Sequence, residues 1–118
     1  MRYQIKSYTE LQNATKAICD LLAQSRVPGD RIFDCKLVVN ELVGNILKHS
    51  SGVATLDCFV KSKSVEILVL SSAQFYPPAE SRCSDVFAEG GRGLYLVDSV
   101  VSERSVTDEG AIKAVIKY

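Results

Sequence analysis

NELVGNILKHS, residues 40–50, decides how this chain is read. Glu41, Asn45, Lys48 and His49 recur at steps of three and four inside a stretch whose other positions are mostly apolar. Residues three and four apart share a helix face, so polar and apolar groups fall into separate arcs. Carried back to Arg31, the pattern predicts one helix over residues 31–49. At about 100° per residue, Ile32, Cys35, Val39, Leu42 and Ile46 form one apolar arc, which is the expected core face. Lys36, Asn40 and Gly44 make an ordinary solvated stripe. Asp34, Glu41, Asn45 and Lys48 make a second polar arc, with Phe33 and Leu37 between the two. A surface helix needs only one such stripe.

The second arc has a bland reading and a chemical one. In the first it is a wide solvent face, steadied by a pairing such as Glu41 with Lys48. In the second, a carboxylate one turn from a carboxamide suits a magnesium nucleotide site: the amide oxygen is a hard metal ligand, and the carboxylate can orient or deprotonate a hydroxyl. His49 by itself reads as a helix-end residue that favours the C-terminal dipole.

Outward from this helix, the chain divides into short elements. RYQIKS, residues 2–7, alternates mildly and suggests a first strand. Ser7 with Glu10 makes a capping box, and Leu11, Ala14, Ile18, Leu21 and Leu22 follow at helical spacing, giving a helix over about 8–25. VPGD, residues 27–30, ends it, with Asp30 placed to cap the next helix. After Ser50, Ser51 and Gly52, two strands are expected at roughly 53–60 and 64–71 around the turn KSKS. Residues 72–92 hold no sustained period and carry Pro77, Pro78, Gly90 and Gly91, which predicts a loop of functional length. GLYLVDSVV, 93–101, predicts a short helix, and RSVTDEGAIKAVIKY a final hairpin about DEG.

These elements fit one domain over residues 1–118: an α+β two-layer sandwich with a mixed, mostly antiparallel sheet and about three helices on one face. Asp57, Glu66, Lys113 and Lys117 would face water on the other side. With 118 residues and 47% hydrophobic content, a single core is affordable and two are not. Fourteen basic residues balance fourteen acidic ones without a basic block, which gives nucleic acid no electrostatic footprint. No apolar run reaches the roughly 20 residues that span a bilayer, so a cytoplasmic protein without a membrane role is expected. Cys19, Cys35, Cys58 and Cys83 lack metal-ligand spacing and read as three core thiols and one loop thiol.

AEGGRGLYLV, residues 88–97, puts three glycines before and within a helix start, where backbone N–H groups can converge on an anion. It is neither a P-loop nor a dinucleotide-binding fingerprint. E-L-V-x-N-x-x-x-H on a helix, then two strands, a long loop and G-G-R-G-L-x-L-V, resembles the GHKL (histidine-kinase-like) ATPase superfamily. The small single-domain layout is similar to bacterial anti-sigma factors with serine kinase activity.

That resemblance implies a Bergerat-type ATP-binding fold, with ATP and Mg²⁺ as cofactors. Asn45 would coordinate Mg²⁺ on the ATP phosphates, and Glu41 would be the catalytic acid/base. Lys48 and His49 match positions near the phosphates, Gly91, Arg92 and Gly93 match the turn that wraps them, and Leu94 continues it into the helix. The implied partners are a sigma factor, held by surface contact, and an anti-anti-sigma protein whose serine accepts the phosphate. A homodimer is also within what the resemblance implies.

One motif departs from the pattern. Where the superfamily carries D-x-G-x-G after the hairpin, Ser71 stands at the aspartate and Ala73 and Phe75 at the glycines, with Tyr76 and Pro78 supporting this register. Ser71 can still hydrogen-bond adenine, but a charge-assisted bond worth up to about 3 kcal/mol is gone. The alternative expectation is therefore a non-catalytic protein-binding module of the same fold that has lost nucleotide.

Overall fold

The computed structural model describes residues 2–49, 53–72 and 91–118, with side chains omitted for His49 and residues 91–94. Ala73, Phe75, Tyr76, Pro78, Cys83 and most of the expected loop lie outside the described residues. The elements run β1 (Arg2–Ile5), α1 (Tyr8–Gln24), α2 (Gly29–His49), β2 (Ala54–Val60), β3 (Ser64–Ser71), α3 (Gly91–Val100), β4 (Glu103–Val106) and β5 (Ile112–Lys117).

Local chemistry sets the helix boundaries. The Ser7 hydroxyl accepts from the Glu10 N–H at 3.2 Å, and the Glu10 carboxylate accepts from the Lys6 N–H at 2.6 Å, so the capping box closes one residue further back than its usual form. At the other end of α1, Arg26 adopts φ 65°, while its N–H and that of Val27 donate to the carbonyls of Ala23 and Leu22. This is a Schellman closure built on a non-glycine residue. α2 begins two residues earlier than expected. The Pro28 carbonyl accepts from Arg31 and Ile32, so Gly29 and Asp30 join the first turn.

The strands order β1-β2-β3-β5-β4, and every described pairing is antiparallel. Register carries the alternation across the sheet: Leu56 pairs with Val69 and Val69 with Ile112, while Cys58 pairs with Ile67 and Ile67 with Ala114. All six are buried on one face. α2 packs over β2, β3 and β5 on that face, α1 lies against α2 and β1, and α3 lies against α2. Between the layers, Val38, Val39, Leu42, Val43 and Ile46 of α2 meet Val65, Ile67 and Ile116 with no exposure. Among the described residues these side chains form the core of the α+β sandwich.

The opposite face is polar, as its alternation predicts. Arg2 makes a two-pronged ion pair with Asp57 at 2.8 and 3.1 Å, and Glu66 sits 3.7 Å from both Lys61 and Lys113. Phe59 interrupts this face at 43% exposed. The closing hairpin turns at Gly110, whose φ of 89° is the left-handed conformation glycine adopts without a steric penalty. Its N–H donates to the Thr107 carbonyl at 2.9 Å.

Candidate functional site

The two polar arcs of α2 meet different fates. Lys36 and Asn40 are exposed, and Gly44 has open space around its Cα, so the first arc is the solvated stripe. The second arc runs into the protein. Asp34 is engaged by Arg31 at 2.7 Å, Glu41 is half-buried, Lys48 is exposed and Asn45 is only 8% exposed. The wide-solvent-face reading therefore fails at Asn45.

Burial of Asn45 leaves a chemical residue. Among the described residues its buried Nδ2 has no hydrogen-bond partner. A buried amide donor without an acceptor costs about 1–3 kcal/mol, which evolution normally removes by exchanging the side chain for an apolar one. Glu41, one turn earlier, puts a carboxylate beside this amide, at about 5–6 Å between Cβ atoms for an i, i+4 pair. Together they offer a hard oxygen ligand, a stranded donor and a base on one strip of helix.

Among the described residues, α1 and α3 both pack on α2. Asn45 is nine residues from Lys36, or half a turn around the axis at about 100° per residue. Asn45 and Lys36 therefore lie on opposite flanks of the helix. α3 starts at Gly91, two residues before its expected start, so Gly91 and Arg92 join Gly93 and Leu94 in its first turn instead of preceding it. The first four N–H groups of a helix have no acceptor within it, and the dipole makes them favourable to an anion.

Ser71 closes the inward row at the end of β3, opposite Ala54, with no exposure. Beyond it, the Ser72 N–H donates to the Val53 carbonyl and the Ser72 hydroxyl accepts from the Val53 N–H, at 2.9 and 2.8 Å. Ser71 thus stands on the helix-covered face, where a ligand's polar edge would need a buried partner.

The three described thiols, Cys19, Cys35 and Cys58, are not set up as reactive groups. Burial pushes Cys35 up to about 12 and Cys58 up to about 11, and Cys19 is raised by the same cause. Such thiols stay protonated and unreactive. Among the described residues no group of three or more His, Cys, Asp and Glu could hold a metal, and no helix is long and apolar enough to cross a membrane.

One contact near α3 had no signature in the sequence. Arg104 of β4 grips Asp98 of α3 through Nε to Oδ1 at 2.5 Å and Nη2 to Oδ2 at 3.1 Å. Only a register that turns Arg104 toward the helix layer could have exposed it.

A family model described as a histidine kinase-like ATPase domain matches residues 6–116. No curated protein matches the chain.

Proposed function

The chain belongs to the histidine kinase-like ATPase family, and from that premise we propose that it binds Mg-ATP along the α2 flank that carries Asn45 and acts as an anti-sigma-factor-like regulator. The observation that carries this reading is the stranded Nδ2 of a residue more than nine-tenths buried. A donor retained there at a cost to stability is accounted for by a ligand oxygen.

Each residue then has a task. The Asn45 oxygen would hold Mg²⁺, and its amide would donate to a phosphate oxygen. First-turn N–H groups of Gly91, Arg92 and Gly93 hold the phosphates, with Lys48 and His49 as nearby positive or donor groups. Bound Mg²⁺ would supply neutralisation of phosphate charge. Glu41 would accept the proton of an incoming serine hydroxyl, and bound ATP would supply the phosphoryl group. The acceptor serine belongs to an anti-anti-sigma protein, and a sigma factor is held by surface contact, as in the regulators the sequence resembles.

A second reading has its own observation. Ser71, fully buried at the end of β3, lacks the carboxylate that reads adenine in this family, and the missing charge could weaken binding about a hundredfold. A module that binds protein without nucleotide follows from that loss.

Thermal melting with and without millimolar Mg-ATP separates the two. Ligand at a hundred times its Kd adds about 2.7 kcal/mol, so a magnesium-dependent rise in Tm is expected. A cooperative melt that does not move would sink the nucleotide reading and leave the binding module.

A further inference from the structure

We propose that Asp98 and Arg104 are positioning residues: their ion pair holds α3 by its C-terminal end and so fixes where the Gly91–Gly93 turn lies relative to α2, on which α3 packs. This rests on the nucleotide reading above, whose phosphates that turn would hold.

α3 needs such a hold. It has ten residues, and helices that short are marginal in water without tertiary support. Among its residues with described side chains only Val97 is fully buried, while Tyr95 is 73% exposed and Asp98 and Ser99 face solvent. Val97 and the partly buried Val100, three residues apart, anchor one short patch of the helix, and an attachment off that patch fixes its tilt.

The register of β4 explains why Arg104 can supply the second point of attachment. Arg104 pairs with Ala114, which pairs with Ile67 and through it with Cys58, so this row lies on the helix-covered face. That face is otherwise apolar. An arginine there would be misplaced on a strand without a partner above it, and Ala114 is small enough to leave its stem room. Both prongs of the guanidinium engage Asp98, whose burial is partial, with side chains 29% and 48% exposed for Arg104 and Asp98. The turn between α3 and β4 is tied as well: the Ser102 N–H donates to the Val115 carbonyl at 2.7 Å, and the Ser102 hydroxyl accepts from the Lys117 N–H at 3.2 Å.

The lever is short enough to matter. Asp98 lies seven residues from Gly91, or about 10 Å at the helical rise, so a tilt of about 10° would carry the turn by about 2 Å. Misplacement of about 1 Å at a reacting group can cost a hundredfold in rate. Exposed ion pairs contribute little to global stability, but a forked arginine–carboxylate contact fixes an angle.

The test measures Mg-ATP affinity by calorimetry for D98N, R104Q and the double variant, alongside their unliganded Tm. Each single variant should weaken binding about tenfold while Tm changes by no more than a degree or two. The double variant should lose no more than either single one, because the pair acts as a unit. Unchanged affinity in the single variants, or losses that add in the double, would overturn the positioning role. Failure of the wild-type chain to bind would overturn the nucleotide reading itself. Amide exchange of Tyr95–Val97 without nucleotide then reads the pair alone: both single variants should exchange about tenfold faster there, and equal rates would remove the claim that the pair holds α3.

Discussion

Asn45 is where a single side chain speaks most directly. Its orphaned Nδ2 makes it a liability to the ligand-free fold, and replacement of such a group by an apolar one of similar shape is neutral or stabilising. Asn45→Leu should therefore raise the unliganded Tm, by the equivalent of about 1 kcal/mol, and abolish any Mg-ATP-dependent shift. A loss of stability in that variant would mean that the amide already has a satisfied role. Sequence reasoning found this residue through the helical spacing of Glu41, Asn45 and Lys48, because a second polar arc is visible on a wheel. It left the arc open between solvent and site, since a wheel holds angles and no neighbours. Asp98 and Arg104 stayed hidden for a related reason: they are six residues apart on different elements, and no period links them.

At the scale of elements, boundaries follow capping chemistry that lies in the sequence. Ser7 and Glu10 announce α1, and Ser64–Ser71 falls where its alternation places it. The early starts of α2 and α3, at Gly29 and Gly91, are the misses. Glycine reads as a helix breaker in sequence, yet near an N-terminus its conformational cost is offset when the preceding carbonyl is used, as Pro28 is at α2. The C-terminus of α1 carries a different cost. Arg26 holds φ 65°, a conformation costing a side-chain-bearing residue about 1–2 kcal/mol, part of which glycine loses again to unfolded-state entropy. Arg26→Gly should stabilise the protein by about 0.5–1 kcal/mol, read as a higher urea midpoint with unchanged m-value. A lower midpoint would show that the Arg26 side chain contributes more than its backbone strain removes.

Across the whole molecule, burial between the layers changes the acidity of groups from distant parts of the chain. Cys35 on α2 and Cys58 on β2 are raised by desolvation to about 12 and about 11, from 9.0 for an exposed thiol. Below about pH 9 both states keep these protons, and the thiols contribute no pH dependence. Above it the unfolded chain releases protons that the folded one retains, so stability must fall as pH rises toward 11 and 12. The slope is up to about 1.4 kcal/mol per pH unit for each thiol. Urea midpoints between pH 9 and 10.5 should fall more steeply for wild type than for Cys35→Ala, and parallel slopes would contradict the assignment to Cys35.

By itself the sequence determined which segments become helix or strand, the composition of the core and the polar strip of α2. Hydrophobic period and capping are local properties, fixed by neighbours a few residues away. Tertiary structure decided the strand order β1-β2-β3-β5-β4, the burial of Asn45 on one flank only, and the meeting of Asp98 with Arg104. Those depend on which surfaces press together, because desolvation of a side chain and the facing of a strand are set by elements far away in the chain.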